Sequence, residues 1–297
     1  MRNAFSAIDR GVLFMLASAL ISALNGAVAK ILGDEMSALE IVFFRNLIGV
    51  AIVLAALRHT PPSLPGGSPA LLLMRGLFGF TAMILFFYTI TVIPLGEAIT
   101  LNKTSPLFVA VLAFLLMKER LGPRGIAALL IGFIGVALVS NPQNMVPGYE
   151  HFLGLLGGFF AACAYATIKR IRNVYDTRVI VLSFMGTGTV IPLALFLAAP
   201  LIDAPPSIGF LFPAFLVPDT PKLWLLIGFM ALISTLSQWL LTKAYSISKA
   251  GVVGAVSYTN IPFAVGFGTM LGDPFPTAAV WIGIAMIVAA GLLVKKG

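Results

Sequence analysis

Ten stretches of about 20 almost wholly apolar residues follow one another along this chain, with short polar breaks between most of them. They run over about 12–31, 39–57, 71–91, 94–116, 124–140, 152–169, 179–199, 223–245, 250–271 and 277–294. A helix of roughly 20 such residues crosses the hydrocarbon of a bilayer. In lipid every backbone amide needs an internal partner, so spans of this kind leave a helical bundle as the available fold. Charged residues make up 10% of the chain and the mean hydropathy is +1.03, whereas a water-facing globule carries about 25% charge. The expected fold is an all-α membrane protein of ten transmembrane helices.

The 19 Lys and Arg outnumber the 11 Asp and Glu, for a formal charge of +8. With the amino terminus inside, 15 of the 19 fall at cytoplasmic ends, in runs such as MKERLGPR (117–124) and KRIR (169–172). The external loops hold Lys222 among acids such as Asp34, Asp203 and Asp219. The positive-inside rule then predicts both termini in the cytoplasm of a multi-pass protein of the cytoplasmic (inner) membrane. The basic surplus is thereby accounted for without nucleic acid. Ala27-Val28-Ala29 has the form of a signal-peptidase site, but the run before it is long and contains Asn25, so span one is expected to stay. A single cysteine, Cys163, excludes an intramolecular disulfide. Neither a Walker loop, a nucleophile elbow, a dinucleotide fingerprint nor a metal-ligand spacing is present, so no enzyme, metal or cofactor is expected.

A shift of 156 residues lays spans four and five on spans nine and ten, bringing Pro106 onto Pro262 and Val109 onto Val265. A shift of 139 lays ALNGAVAK (23–30) on ACAYATIK (162–169). The chain therefore reads as two five-helix repeats, 1–145 and 146–297. An odd number of helices makes the second enter the membrane from the opposite side, as in transporters that work by alternating access.

Several segments carry a family resemblance. FFRNLIG (43–49), Pro94-Leu95-Gly96-Glu97-Ala98 leading to Ser105-Pro106-Leu107-Phe108, Lys118-Glu119 and GFIGVAL (132–138) resemble the EamA-type branch of the drug/metabolite transporter superfamily. The second half departs from the pattern, with Asp273 two positions off the register of Glu119. The resemblance implies ten helices around a cavity formed by spans one, three, four, six, eight and nine, and transport without ATP hydrolysis. It leaves the substrate open, since members carry amino acids, nucleotide-derived metabolites, vitamins or drugs.

Charges inside spans mark functional candidates. Lys30, Glu40, Arg45 and Glu97 lie toward the external ends of their spans. They read either as an ion-pair network pinning the helices or, for Glu40 and Glu97, as a proton-coupling site. Lys103 lies about nine residues into span four, roughly 14 Å at 1.5 Å per residue, near mid-bilayer. It requires either an acid such as Glu97 or an anionic substrate. Ile99, Asn102, Lys103 and Pro106 share a helix face, and the proline frees carbonyls one turn back. The counterpart SYTNIP (257–262) places Tyr258, Thr259 and Asn260 just before Pro262. Asn25, Asn102, Lys103, Tyr165, Gln238, Tyr258 and Asn260 are thus the candidate substrate contacts, with Pro106 and Pro262 as helix breaks. For Asn25, Tyr165 and Gln238, a helix–helix hydrogen bond is the competing role. Arg75 reads as an interfacial anchor, and Gly154 with Gly158 as a packing motif within or between chains.

The function expected is secondary transport of a small organic metabolite bearing an anionic group, such as an amino acid, with proton or counter-substrate coupling open. An exchanger of a nucleotide-derived metabolite and a non-transporting receptor or assembly factor are the alternatives.

Overall fold

The computed structural model describes residues 2–62, 64–105, 107–109, 111–112, 123–140, 148–248, 253 and 256–294. Its principal helices are α1 (Arg2–Leu32), α2 (Ala38–His59), α3 (Pro69–Val92), α4 (Leu95–Asn102) and α5 (Pro123–Ser140). The second half holds α6 (Tyr149–Ile171), α7 (Thr177–Ala198), α8 (Pro221–Ile247), α9 (Asn260–Met270) and α10 (Ala278–Val294). Among the described residues, α1, α2, α3, α6, α7 and α8 supply the six stretches long and apolar enough to cross a membrane.

Local chemistry sets the helix starts. Ser37 and Glu40 form a reciprocal capping box at α2, Ser37 N donating to Glu40 Oε2 at 2.8 Å and Glu40 N to Ser37 Oγ at 3.2 Å. Proline begins α3 and α8, where its missing N–H goes unmissed. Asp176 caps α7 and is clasped by the Arg178 guanidinium at 2.9 Å, whose hydrogen bond holds the Asp176 carboxyl below the usual carboxylate range.

Spans four and nine, read over 94–116 and 250–271 with breaks at Pro106 and Pro262, are interrupted by turns that precede those prolines. Helix α4 stops at Asn102, and a turn follows at Lys103–Thr104. There Thr104 Oγ1 donates to the Leu101 carbonyl at 2.6 Å, a short-range bond that competes with the helical ladder. In the other half, Tyr258–Thr259 form the turn, Thr259 Oγ1 donates to the Val256 carbonyl at 2.8 Å, and α9 begins only at Asn260. Pro262 sits in the first turn of α9, where no intrahelical donor is required of it. Pro106, the other expected break, lies outside the described residues.

Most of the larger helix contacts recur when each helix of the first five is exchanged for the one five places on. Helix α1 packs on α8 as α6 packs on α3, and α1 on α9 as α6 on α4. Likewise α2 meets α8 as α7 meets α3, while α2–α7, α4–α9 and α5–α10 each join a helix to its own counterpart. Small residues set the closest approaches, as in membrane bundles generally. A Cβ on Gly158 of α6 would stand 2.9 Å from the Leu101 carbonyl oxygen, and one on Gly154 3.0 Å from Leu101 Cδ1. The GxxxG motif is therefore a contact within the chain, between α6 and the broken end of α4. Gly158→Leu is expected to cost about 1–3 kcal/mol by overpacking, read as a lower thermal midpoint in detergent.

The Pro- and Asp-rich loop after α7 folds back over the ends of α2 and α7. Phe215 packs 4.8 Å from Phe196 and 5.9 Å from Phe44, and Leu216 N donates to Glu40 Oε1 at 2.6 Å.

Candidate functional site

The half-helices α4 and α9 meet beside a cavity of about 800 Å³ of empty space, its open mouth included. Helices α1, α3, α4, α6, α8 and α9 contribute to its wall, as do α2 through Arg45 and α7 through Phe184; α5 and α10 contribute nothing among the described residues. Six of the sequence-derived candidates line it: Asn25, Asn102, Lys103, Tyr165, Gln238 and Asn260. Tyr258 does not; it is buried outside this wall, and its hydroxyl has no partner among the described residues. Asn25 Nδ2 donates to the Met230 carbonyl at 3.0 Å, and Asn260 Nδ2 to the Ala19 carbonyl, so each also ties α1 to a neighbouring helix. Tyr165 stacks on Tyr245 with ring centroids 4.8 Å apart.

Three cations face this space: Arg45, Arg75 and Lys103, with 4%, 2% and 8% of their surface exposed. The described lining holds neither Asp nor Glu. Arg45 donates to Asn46 Oδ1 at 3.2 Å, while its Nε is unpartnered. Arg75 has both Nε and Nη1 buried without a hydrogen-bond partner. Both guanidiniums lie against the Phe184 ring, 5.9 Å for Arg45 and 4.8 Å for Arg75, and Arg45 also stands 5.1 Å over Phe87. Such cation–π contacts lower the burden of burial without neutralising the charge. Lys103 closes the C-terminus of α4, where the helix dipole offsets part of its charge. Its ammonium makes no ion pair or hydrogen bond among the described residues.

The sequence places Arg45 toward the external end of span two and reads Arg75 as an interfacial anchor; both are buried at the cavity wall, which for Arg75 replaces the interfacial role. For Arg75 a signal existed in RGLFGF (75–80): a Cβ on Gly79 would fall 2.1 Å from Arg75 Nη1, so the glycine one turn on leaves room for the guanidinium.

Nor do Lys30, Glu40, Arg45 and Glu97 form one network. Lys30 pairs with Asp273 from the turn after α9, and Asp273 also accepts from Leu95 N at 2.9 Å. Glu40 is committed to the α2 cap through one oxygen and to Leu216 through the other. Glu97 lies 3.4 Å from His151 Nε2. Each group found a neighbour supplied by a distant segment, which separates the four.

Comparison with known proteins agrees with this architecture. The model of the EamA-like transporter family matches residues 9–141. An uncharacterized transporter of Helicobacter pylori (strain ATCC 700392 / 26695) is 33% identical over 290 residues, spanning 96% of this chain and 94% of the relative. The pseudopaline exporter CntI of Pseudomonas aeruginosa (strain UCBPP-PA14) is 30% identical over 293 residues, 97% of each chain. A solved crystal structure shares the fold at a TM-score of 0.58 and 19% identity, over 99% of this chain and 96% of that one.

Proposed function

Because the chain belongs to the EamA-like transporter family, we propose that this multi-pass membrane protein carries a small organic anion across the cytoplasmic membrane by alternating access. The observation that carries the reading is the cavity with three buried cations and no acid in its described wall. An unpaired charge at membrane depth is expensive and is retained where a partner arrives to complete it. Here the partner is the anionic group of the substrate, for which guanidinium forks are suited by geometry. The two halves, 1–145 and 146–297, act as inverted repeats that rock around the cavity, a reading supported by the larger helix contacts, most of which recur when the halves are exchanged. Both termini lie in the cytoplasm on the charge distribution, and the relative named an exporter favours outward movement.

Proteoliposomes containing the purified protein are expected to accumulate a labelled organic anion under a proton gradient or counter-substrate loading. The Lys103→Gln protein should reconstitute equally and transport little. Undiminished uptake by that variant would overturn the reading, and absence of transport for every anion would favour a receptor or assembly role.

The cycle also needs a closure on each side. The Lys30–Asp273 pair supplies one on the side where α1 ends, tying α1 to the segment after α9 and, through Leu95 N, to the start of α4. Both side chains are partly exposed, so their attraction contributes about 1 kcal/mol or less to stability. Asp273→Asn is accordingly expected to fold normally, slow transport several-fold and let an impermeant maleimide reach a cysteine placed at Ser22 sooner. An unchanged labelling rate would remove Lys30–Asp273 from the cycle. Glu40 is engaged by the α2 cap and by Leu216 N, which leaves Glu97, 3.4 Å from His151 Nε2, as the carboxylate open to a coupling role.

A further inference from the structure

The number of cations in the cavity says more than their sign. Resting on the anion-transport reading above, we infer that the molecule carried holds at least two separate acidic groups and is a di- or tricarboxylate. Arg45 from α2 and Arg75 from α3 stand 5.9 and 4.8 Å from the Phe184 ring centroid, and each brings a fork of donors that suits a carboxylate. Lys103 comes from a different element, the C-terminus of α4. One carboxylate bears one negative charge and leaves two of the three cations buried and uncompensated. A second acidic group satisfies Lys103, and a third brings the cavity to neutrality.

The surroundings favour carboxylates on a carbon skeleton over a phosphoryl group. Phe86, Phe87, Met83 and Ile99 give the cavity apolar wall for carbon, and Asn102 and Gln238 add side-chain amides to the same wall. The cations are separate side chains, two of them planar forks that grip an oxyanion through paired donors. A phosphoryl site is more often a nest of successive backbone amides. The N-terminus of α9, at Asn260, reaches the same wall with the positive end of its dipole. Arg75, nearly fully buried with two nitrogens unpartnered, is an independent sign that the space awaits an acceptor.

The test uses the full chain purified in detergent, at fixed ionic strength, with propionate, succinate, tricarballylate and inorganic phosphate as probes. Binding is read from the concentration dependence of the thermal midpoint, since a ligand of the folded state stabilises it by mass action. Succinate and tricarballylate are expected to bind at least tenfold tighter than propionate. Lys103→Gln should lower that advantage at least fivefold while leaving propionate binding little changed, and Arg75→Gln should weaken all three carboxylates. Equal affinity for propionate and the polycarboxylates would overturn the inference and leave anion transport standing. Phosphate tighter than succinate would overturn the carboxylate assignment. Stabilisation by none of the four would overturn both readings. If Arg75→Gln fails to fold, the Lys103→Gln arm decides the matter alone.

Discussion

Replacing Lys103 with methionine is expected to abolish transport and, at the same time, to raise the thermal midpoint of the empty protein. The two effects have one cause. Lys103 is buried, lacks an ion-pair or hydrogen-bond partner among the described residues, and ends a half-helix beside an acid-free wall. A lysine at the centre of a membrane helix is unfavourable by about 2.5–3.5 kcal/mol on insertion scales. The α4 dipole returns about 0.3–1 kcal/mol of that. Methionine keeps most of the volume without the charge, so a gain of about 1–3 kcal/mol in the substrate-free state follows. Transport should fall at least about 100-fold, the equivalent of about 2.8 kcal/mol of lost interaction. Thermal unfolding in detergent and flux in proteoliposomes check the two halves separately. A variant that is both inactive and less stable would make Lys103 a structural residue.

Such opposition between stability and activity explains what could be read from sequence and what could not. Helices are nearly self-contained in lipid, so apolar length and turn chemistry place α2, α3, α6, α7 and α8 within about three residues of where they lie. The polar stretch AITLNKTSPLF also showed its character early: a lysine and hydroxyls inside an apolar span conflict locally with the fold, and such conflicts gather at functional sites. What stayed hidden depends on partners far along the chain. Lys30 finds Asp273, 243 residues away, and Glu40 finds Leu216, 176 residues away. Depth counted from a span boundary could not decide where Arg45 and Arg75 point, because burial depends on which neighbours surround a helix. For Arg75 that neighbour is Phe184 of α7, a helix the family resemblance does not assign to the cavity.

Gly283→Val is expected to be the most damaging single change to the fold, although its helix gives the cavity wall nothing among the described residues. A Cβ at Gly283 would stand 2.7 Å from the Gly135 carbonyl oxygen, 2.9 Å from Val139 Cγ2 and 3.0 Å from Leu138 Cβ. The contact is mutual, since a Cβ at Gly135 would stand 2.7 Å from the Gly283 carbonyl oxygen. Backbone cannot move aside as a side chain can, so α10 must back away from α5. Between two helices in lipid there is no hydrophobic drive to bring them together again; close packing of small residues is what joins them. Separation therefore forfeits the whole α5–α10 interface rather than one contact, and a loss of at least about 3 kcal/mol is expected. The measurement is monodispersity and thermal midpoint after detergent extraction. Gly266→Ala is the matched comparison: it sits in α9 with nothing within 4 Å of its would-be Cβ, and alanine should gain about 0.5–1 kcal/mol there. Because α5 and α10 contribute nothing to the cavity wall among the described residues, whatever fraction of Gly283→Val remains folded in the cold should bind tricarballylate with wild-type affinity. A well-folded variant with weakened binding would instead couple the α5–α10 crossing to the cavity.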